Sequence, residues 1–255
     1  MQSTDITTLR ELATRYAVMA FSEEQDTKRA LWRGHNSFKP GPIPIYVRGI
    51  PFHEVPEVRN CTCEDAFYRG YELWFRAMLF QETVGDDYTH TPYVTVDAAC
   101  VYPPAGIWGV EIKHTAVTEK GGSWMFDPPL RELDDIEKLI PPHHVIDEAE
   151  TARRVEKLHD AIGDILPIAV DRAPVYRTWN ADISTQLAHL RGLEQTMWDM
   201  TDNPEWLHRL LAFMRDGVLT AQAEAEAAGD WRLCAHQNQA MPYAEELADP
   251  EWHWR

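Results

Sequence analysis

A parallel α/β fold is predicted from three observations. Short apolar runs alternate with stretches of helical periodicity in the order expected of βαβ units. Two of those runs, "PIPIYVRG" at 42–49 and "DILPIAVDR" at 164–172, are rich in β-branched or aliphatic residues and bounded by breakers. A chain of 255 residues with 44% hydrophobic and 25% charged residues can bury one large core.

The elements follow in chain order. Leu9, Leu12, Tyr16 and Met19 recur at three-to-four spacing, and Gly41-Pro42 closes the stretch, so residues 1–41 read as an N-terminal helical extension. The run at 42–49 is the first strand. Residues 65–80 place Phe67, Tyr71, Trp74, Phe75, Met78 and Leu79 at helical spacing. The polar stretch "GDDYTHTPY" at 85–93 then leads into "YVTVDAA", which alternates as a strand does. Residues 100–145 are rich in Pro, Gly and Trp and carry too many large aromatics to stay solvated, which predicts an excursion packed over the domain. A helix from Asp147 to Ile162 precedes the apolar run that ends at Asp171. After the turn "APVYRTWNAD", a helix is expected with Leu187, Leu190, Leu193, Met197 and Trp198 on one face. Another begins at "DNPEW", where Asn203 suits the N-cap, Pro204 the first helical position and Glu205 the dipole, and Gly229 ends it. "WRLCAHQ" at 231–237 reads as one more strand. No run looks antiparallel.

Charge narrows the partners. The formal net charge is −17, from 41 acidic and 24 basic residues, which argues against a nucleic-acid partner, since such binding needs clustered Lys and Arg. No window approaches the roughly 18 apolar residues of a membrane span, and a cytoplasmic location is expected. The four cysteines, Cys61, Cys63, Cys100 and Cys234, are expected as thiols in a reducing compartment.

In parallel α/β folds the carboxyl ends of strands carry the ligand site. Polar groups follow the apolar runs at Arg48, at Asp86 and Asp87, at Asp171 and Arg172, and at His236, Gln237 and Asn238. Cys61-x-Cys63 is too tight for structural zinc and is expected at the surface. Cys234-x-His236 puts two donors on one side of a strand, a two-ligand fragment that also fits a buried thiol beside a hydrogen-bonded histidine. His143-His144 carries no ligand spacing. There is no G-x-S-x-G elbow, G-x-G-x-x-G or Walker-type loop, so neither serine-hydrolase nor nucleotide chemistry is indicated.

In combination, several stretches resemble the uroporphyrinogen decarboxylase superfamily: "PIPIYVRG" with Arg48, Asp87 five residues before Pro92, "LPIAVDRAP", and "RGLEQTMWDMTDNPEWLHRLLAFM" leading to "AAGDWRLCAHQ". The resemblance spans most of the chain. It implies a (β/α)8 TIM barrel of parallel strands. With about five strand signals against eight, 1–255 would be an incomplete barrel domain, roughly the N-terminal two-thirds.

The resemblance also assigns roles. Arg48 would bind substrate carboxylates, and Asp87 would be the catalytic aspartate that accepts hydrogen bonds from the pyrrole N–H groups, with Asp86 its structural neighbour. Phe52 and Asn180 stand where the decarboxylase members carry an arginine and a tyrosine. That shifts the expectation toward the superfamily's methyltransferases, which use zinc held by a His-x-Cys pair and a further Cys, and a corrinoid on a partner protein. Those ligands would lie beyond this chain's end, leaving Cys234 and His236 as the metal candidates within it. The expected activity is methyl transfer from a small methylated substrate to a corrinoid protein. Decarboxylation of a porphyrinogen or smaller carboxylate, or a non-catalytic truncated barrel, are the alternatives. The substrate-binding set is Arg48, His90, Asp171, Arg172, Tyr176, His236 and Asn238, with Tyr93 as a further pocket wall.

Overall fold

The computed structural model describes residues 4–115, 126–174, 182–231 and 241–248. In chain order the elements are α1 (Thr4–Ala20), α2 (Glu23–Asn36), α3 (Pro56–Arg59), α4 (Ala66–Glu82), β1 (Val94–Asp97), β2 (Lys113–His114), β3 (Phe126–Asp127), α5 (Glu148–Ile162), β4 (Ile168–Asp171), α6 (Ile183–Arg191), α7 (Leu193–Asp202) and α8 (Pro204–Ala228). The fold is mixed α/β with helix predominant. No helix among the described residues is long and apolar enough to cross a membrane.

The chain divides into two compact units. The first holds α1 to α4, β1, α5, β4 and the described residues 241–248. Its sheet is the parallel pair β1–β4, in register from Val94↔Ile168 to Asp97↔Asp171. Leu9, Leu12, Ala13, Tyr16 and Ala20 of α1 pack with Phe75 of α4, Val94 and Val96 of β1, and Leu158, Ala161 and Ile162 of α5. Burying each such large side chain stabilises by roughly 1.5–3 kcal/mol. Within the N-terminal segment, α1 therefore contributes one face to the core. Arg10 adds a paired contact to Asp164, 2.6 and 2.7 Å, and donates to the Ala161 carbonyl at 2.9 Å.

The helices and strands expected at 65–80, 93–99, 147–162 and 164–172 form as α4, β1, α5 and β4. The run at 42–49 does not join a sheet. Its backbone is held by carboxylates: the amides of Ile45 and Val47 donate to Asp87 and Asp86, each at 2.7 Å. Ile43 and Ile45 alternate outward, 79% and 66% exposed, while Tyr46 packs against Tyr88. The alternation is that of a strand, but side chains take the place of a neighbouring ladder.

The second unit holds β2, β3, α6, α7 and α8, together with the Pro/Gly/Trp-rich stretch. Among its described residues, Trp108, Leu130, Ile136 and Leu139 enter the core. Trp108 is 1% exposed and packs with Leu130, Ile136, Leu190, Leu210 and Met214. β2 and β3 pair antiparallel, Lys113↔Asp127, which corrects the expectation that every strand is parallel.

The long helix expected through Leu187–Trp198 breaks at Gly192, whose φ of +85° closes α6 before α7 begins. The break turns Leu193, Met197 and Trp198 outward, 63%, 60% and 59% exposed, so they do not share the buried face of Leu187 and Leu190. Helix α8 starts as expected, with Pro204 in its first turn and Gly229 left-handed at its C-cap. Asn203 makes no side-chain cap; its side-chain Nδ2 donates instead to Asp199 Oδ1 at 3.0 Å.

Candidate functional site

Two polar constellations stand out, one inside each unit. In the first unit, helix α4 ends at Glu82, and Gly85, at φ +71°, lets the chain turn into the acidic pair. Asp86 is 8% exposed and both its carboxylate oxygens accept hydrogen bonds. Oδ2 accepts from the Val47 amide at 2.7 Å and from Gln81 Nε2 at 2.9 Å, and Oδ1 accepts from the Tyr88 amide at 3.0 Å. Asp87 is half-buried. Its Oδ2 accepts from Ile45, its own amide donates to the Ile45 carbonyl at 2.7 Å, and its carbonyl receives the Trp32 indole at 2.6 Å. Asp87 thus ties down the segment that presents Arg48. Arg48 is exposed, and its charge opposes the upward shift that burial, the larger influence, imposes on the Tyr46 phenol.

His90 is 1% exposed, edge-on to Tyr16 and 4.8 Å from the Tyr88 ring. Its amide donates to Gln25 Oε1 at 2.8 Å, and its carbonyl receives Arg29 at 3.1 Å. Nε2 comes within 3.1 Å of Glu82 Oε2, but neither ring nitrogen has hydrogen-bond geometry. That same oxygen accepts from Gln25 at 3.3 Å and Lys28 at 3.4 Å. Burial, followed by the charge of Lys28, pushes the imidazole down to about 3.

A stability consequence follows from that depression. Below the ordinary histidine value the unfolded chain binds a proton that the folded chain refuses, so His90 costs stability as pH falls from about 6.5 toward 3. The slope is about 1.4 kcal/mol per pH unit for a single proton. Urea denaturation between pH 6.5 and 4.5 is expected to show this loss, and His90→Gln to flatten it. Equal slopes in both proteins would remove His90 as the cause.

Asp171 is 4% exposed at the end of β4, opposite Asp97, and its carbonyl accepts from Ala98 at 2.8 Å. Tyr93 is buried and packs against Ala169. Arg48, Asp87, His90 and Asp171 therefore all fall in the first unit, with Asp87 and the segment before Arg48 in direct contact.

Arg172 belongs to a different constellation, in the second unit. Its Nε donates to Asp230 Oδ1 at 2.6 Å, and its second nitrogen reaches Oδ2 at 3.5 Å. Asp230 Oδ2 also takes His144 Nε2 at 2.9 Å. The side chains of His144 and Asp230 are only 4% and 10% exposed, so this pairing is fixed in orientation. Burial alone would raise Asp230, but the hydrogen bonds from Arg172 and His144 outweigh it and hold the carboxyl below its usual range. Glu224 closes the cluster: it meets His143 Nδ1 and the His144 amide, both at 2.8 Å. A carboxylate at Nε2 makes that nitrogen the donor and leaves the Nδ1 lone pair as the basic position of His144.

Beside this cluster is a narrow recess lined by Cys100, Tyr102, His143, His144, Val145, Pro174 and Ala221. Sequence reasoning passed over it. The His143-His144 doublet and the acid just after Gly229 are visible in the chain, but nothing in their spacing pairs residues 86 positions apart.

Cys63, expected at the surface, is 3% exposed. Burial and then Glu72 push its thiol up to about 12. Tyr176, Cys234, His236 and Asn238, and the strand expected at 231–237 beyond Trp231, lie outside the described residues. Among the described residues no three His, Cys, Asp or Glu side chains are placed to share a metal ion, so they do not form a zinc site. Compared with family models, curated proteins and solved structures, the chain matches none.

Proposed function

We propose that the chain is an enzyme of the uroporphyrinogen decarboxylase superfamily, its parallel strands part of a (β/α)8 barrel, and that it passes a methyl group from a small methylated substrate to a corrinoid-bearing partner protein. The observation that carries the reading is the register of β1 and β4, which sets Asp97 and Asp171 side by side at the carboxyl ends of neighbouring parallel strands. That edge is where α/β enzymes hold substrate. Phe52 favours methyl transfer over porphyrinogen chemistry. It packs edge-on to Phe80 where the decarboxylases place a second arginine, and a substrate with many carboxylates needs cationic partners.

In such a transfer the bond between the methyl carbon and its O, N or S atom breaks with the pair left on the heteroatom. The cob(I)alamin pair forms the new bond. Arg48 and Asp171 would orient the donor. The described residues make no zinc site, so no step is assigned to zinc.

The test mixes the protein with cob(I)alamin and a panel of O-, N- and S-methyl compounds and follows cobalamin methylation by absorbance. Methylation from one donor class is expected. No methylation from any donor removes the proposal.

Decarboxylation is the second reading, because Asp87 and the Ile45–Arg48 segment are held together. Asp87 would stabilise a developing cation and Arg48 would orient a carboxylate. Asp87→Asn should then abolish turnover while the fold remains intact, and unchanged turnover removes this reading.

A further inference from the structure

We propose that the outward face of α7 is a docking surface for a basic amphipathic helix of a partner protein. The inference is independent of the methyl-transfer reading. Helix α7 inverts the usual arrangement of a surface helix. Leu193, Met197 and Met200, at i, i+4 and i+7, form one apolar stripe and are 63%, 60% and 63% exposed. The residues α7 buries are Thr196 and Asp199, both polar.

The helix is not free to turn its stripe inward. Asp199 is tied to Arg191 by hydrogen bonds of 2.6 and 3.1 Å and also receives Gln195 and Asn203, while Thr196 Oγ1 donates to the Gly192 carbonyl at 2.7 Å. Rotation would carry Asp199 toward water and strand the buried Arg191 guanidinium. The ion pair therefore holds the apolar stripe outward. A row of large apolar side chains held in solvent marks an interaction surface, and two of the three are methionines, which adapt to a partner's shape.

Charge decides the occupant. Trp198 stands beside the stripe, with Glu194 one turn before it and Asp202 one turn after, all three exposed. No Lys, Arg or His occurs in α7. A second copy of this helix would thus bring no cation to the acidic row, and antiparallel pairing would set Glu194 of each copy beside Asp202 of the other. A basic helix answers both features. Its apolar side chains at the same spacing fill the stripe, and its Lys or Arg residues meet Glu194 and Asp202 and lie over the Trp198 ring.

The probe is a synthetic peptide of about fourteen residues, with leucines at i, i+3, i+4 and i+7 and lysines elsewhere. A scrambled peptide of equal composition and a Leu/Glu peptide of the same pattern serve as controls. Binding is read by calorimetry, and the place of binding by peroxide oxidation of methionines followed with peptide mass spectrometry. The Leu/Lys peptide is expected to bind about tenfold tighter than either control. It should slow oxidation of Met197 and Met200 about three- to tenfold, with Met19 of the first unit unchanged as the internal reference. Met197→Asp should weaken binding about tenfold, and Glu194→Gln with Asp202→Asn about threefold. The oxidation result is read in the unsubstituted protein, so it stands even if a variant fails to fold. Equal binding of the scrambled peptide, equal or tighter binding of the Leu/Glu peptide, or unprotected Met197 and Met200 overturns the proposal. So does a dimer in sedimentation that Met197→Asp abolishes, which would make a second copy the occupant.

Discussion

Replacing Asp199 by alanine is expected to cost about 3–5 kcal/mol, the usual penalty for stranding a buried charge. Arg191 and Asp199 are 4% and 0% exposed, and they meet through two hydrogen bonds of 2.6 and 3.1 Å. Arg191 also donates to the carbonyls of Leu130 and Arg131, at 2.9 and 2.7 Å, and lies 4.6 Å above the Trp206 ring. Asp199 receives Gln195 and Asn203 besides. Burial by itself would raise its pKa, but these hydrogen bonds, Arg191 first, hold it below the usual range. One ion pair thus joins the end of α6, the chain at 130–131, α7 and the start of α8. With alanine at 199 the guanidinium keeps its two carbonyls but loses its counter-charge in a site that water does not reach. Urea denaturation read by tryptophan fluorescence should show the second unit melting first. Asp199→Asn, which retains one acceptor, should lose less. A loss below about 1 kcal/mol for Asp199→Ala would mean that the site relaxes and admits water.

The contrast between α6–α7 and α8 shows what the sequence makes legible. Pro204 and Gly229 act through their own backbones, so the limits of α8 are visible locally. Leu187, Leu190, Leu193, Met197 and Trp198 have the spacing of one buried face, but a periodic pattern is the same whether or not a neighbour covers it. Gly192 breaks that face, and the exposure of Leu193 and Met197 is decided by tertiary packing. The run at 42–49 teaches a similar lesson. Its alternation is real, but whether a strand or a carboxylate satisfies its amides depends on residues forty positions away. The candidate sites divide in the same manner. Asp87 and His90 stand in one short polar stretch and are conspicuous. The link from Arg172 through Asp230 to His144 joins positions 58 and 86 residues apart and can be seen only once the chain has folded.

The acidic pair Asp86-Asp87 should separate sharply under substitution. Asp86→Ala removes the carboxylate that accepts from the Val47 and Tyr88 amides and from the Gln81 side chain, in a site 8% exposed. Leaving buried donors unsatisfied costs about 1–3 kcal/mol each, and some will find water, so a loss of roughly 2–4 kcal/mol is expected. Asp87→Ala loses one acceptor at a half-buried position, and the backbone bond from Asp87 to Ile45 survives, so about 1 kcal/mol is expected. The two acids differ in kind as well as degree. Asp86 holds the turn itself, whereas Asp87 holds the segment that leads to Arg48. Hydrogen exchange distinguishes them: Asp86→Ala should expose the amides of Val47 and Tyr88, and Asp87→Ala that of Ile45 alone. Any turnover should therefore respond to Asp87→Asn at unchanged stability, while the response to Asp86→Asn should track the loss of fold. If the two stability losses prove equal, the turn is held by its backbone and neither carboxylate is the latch.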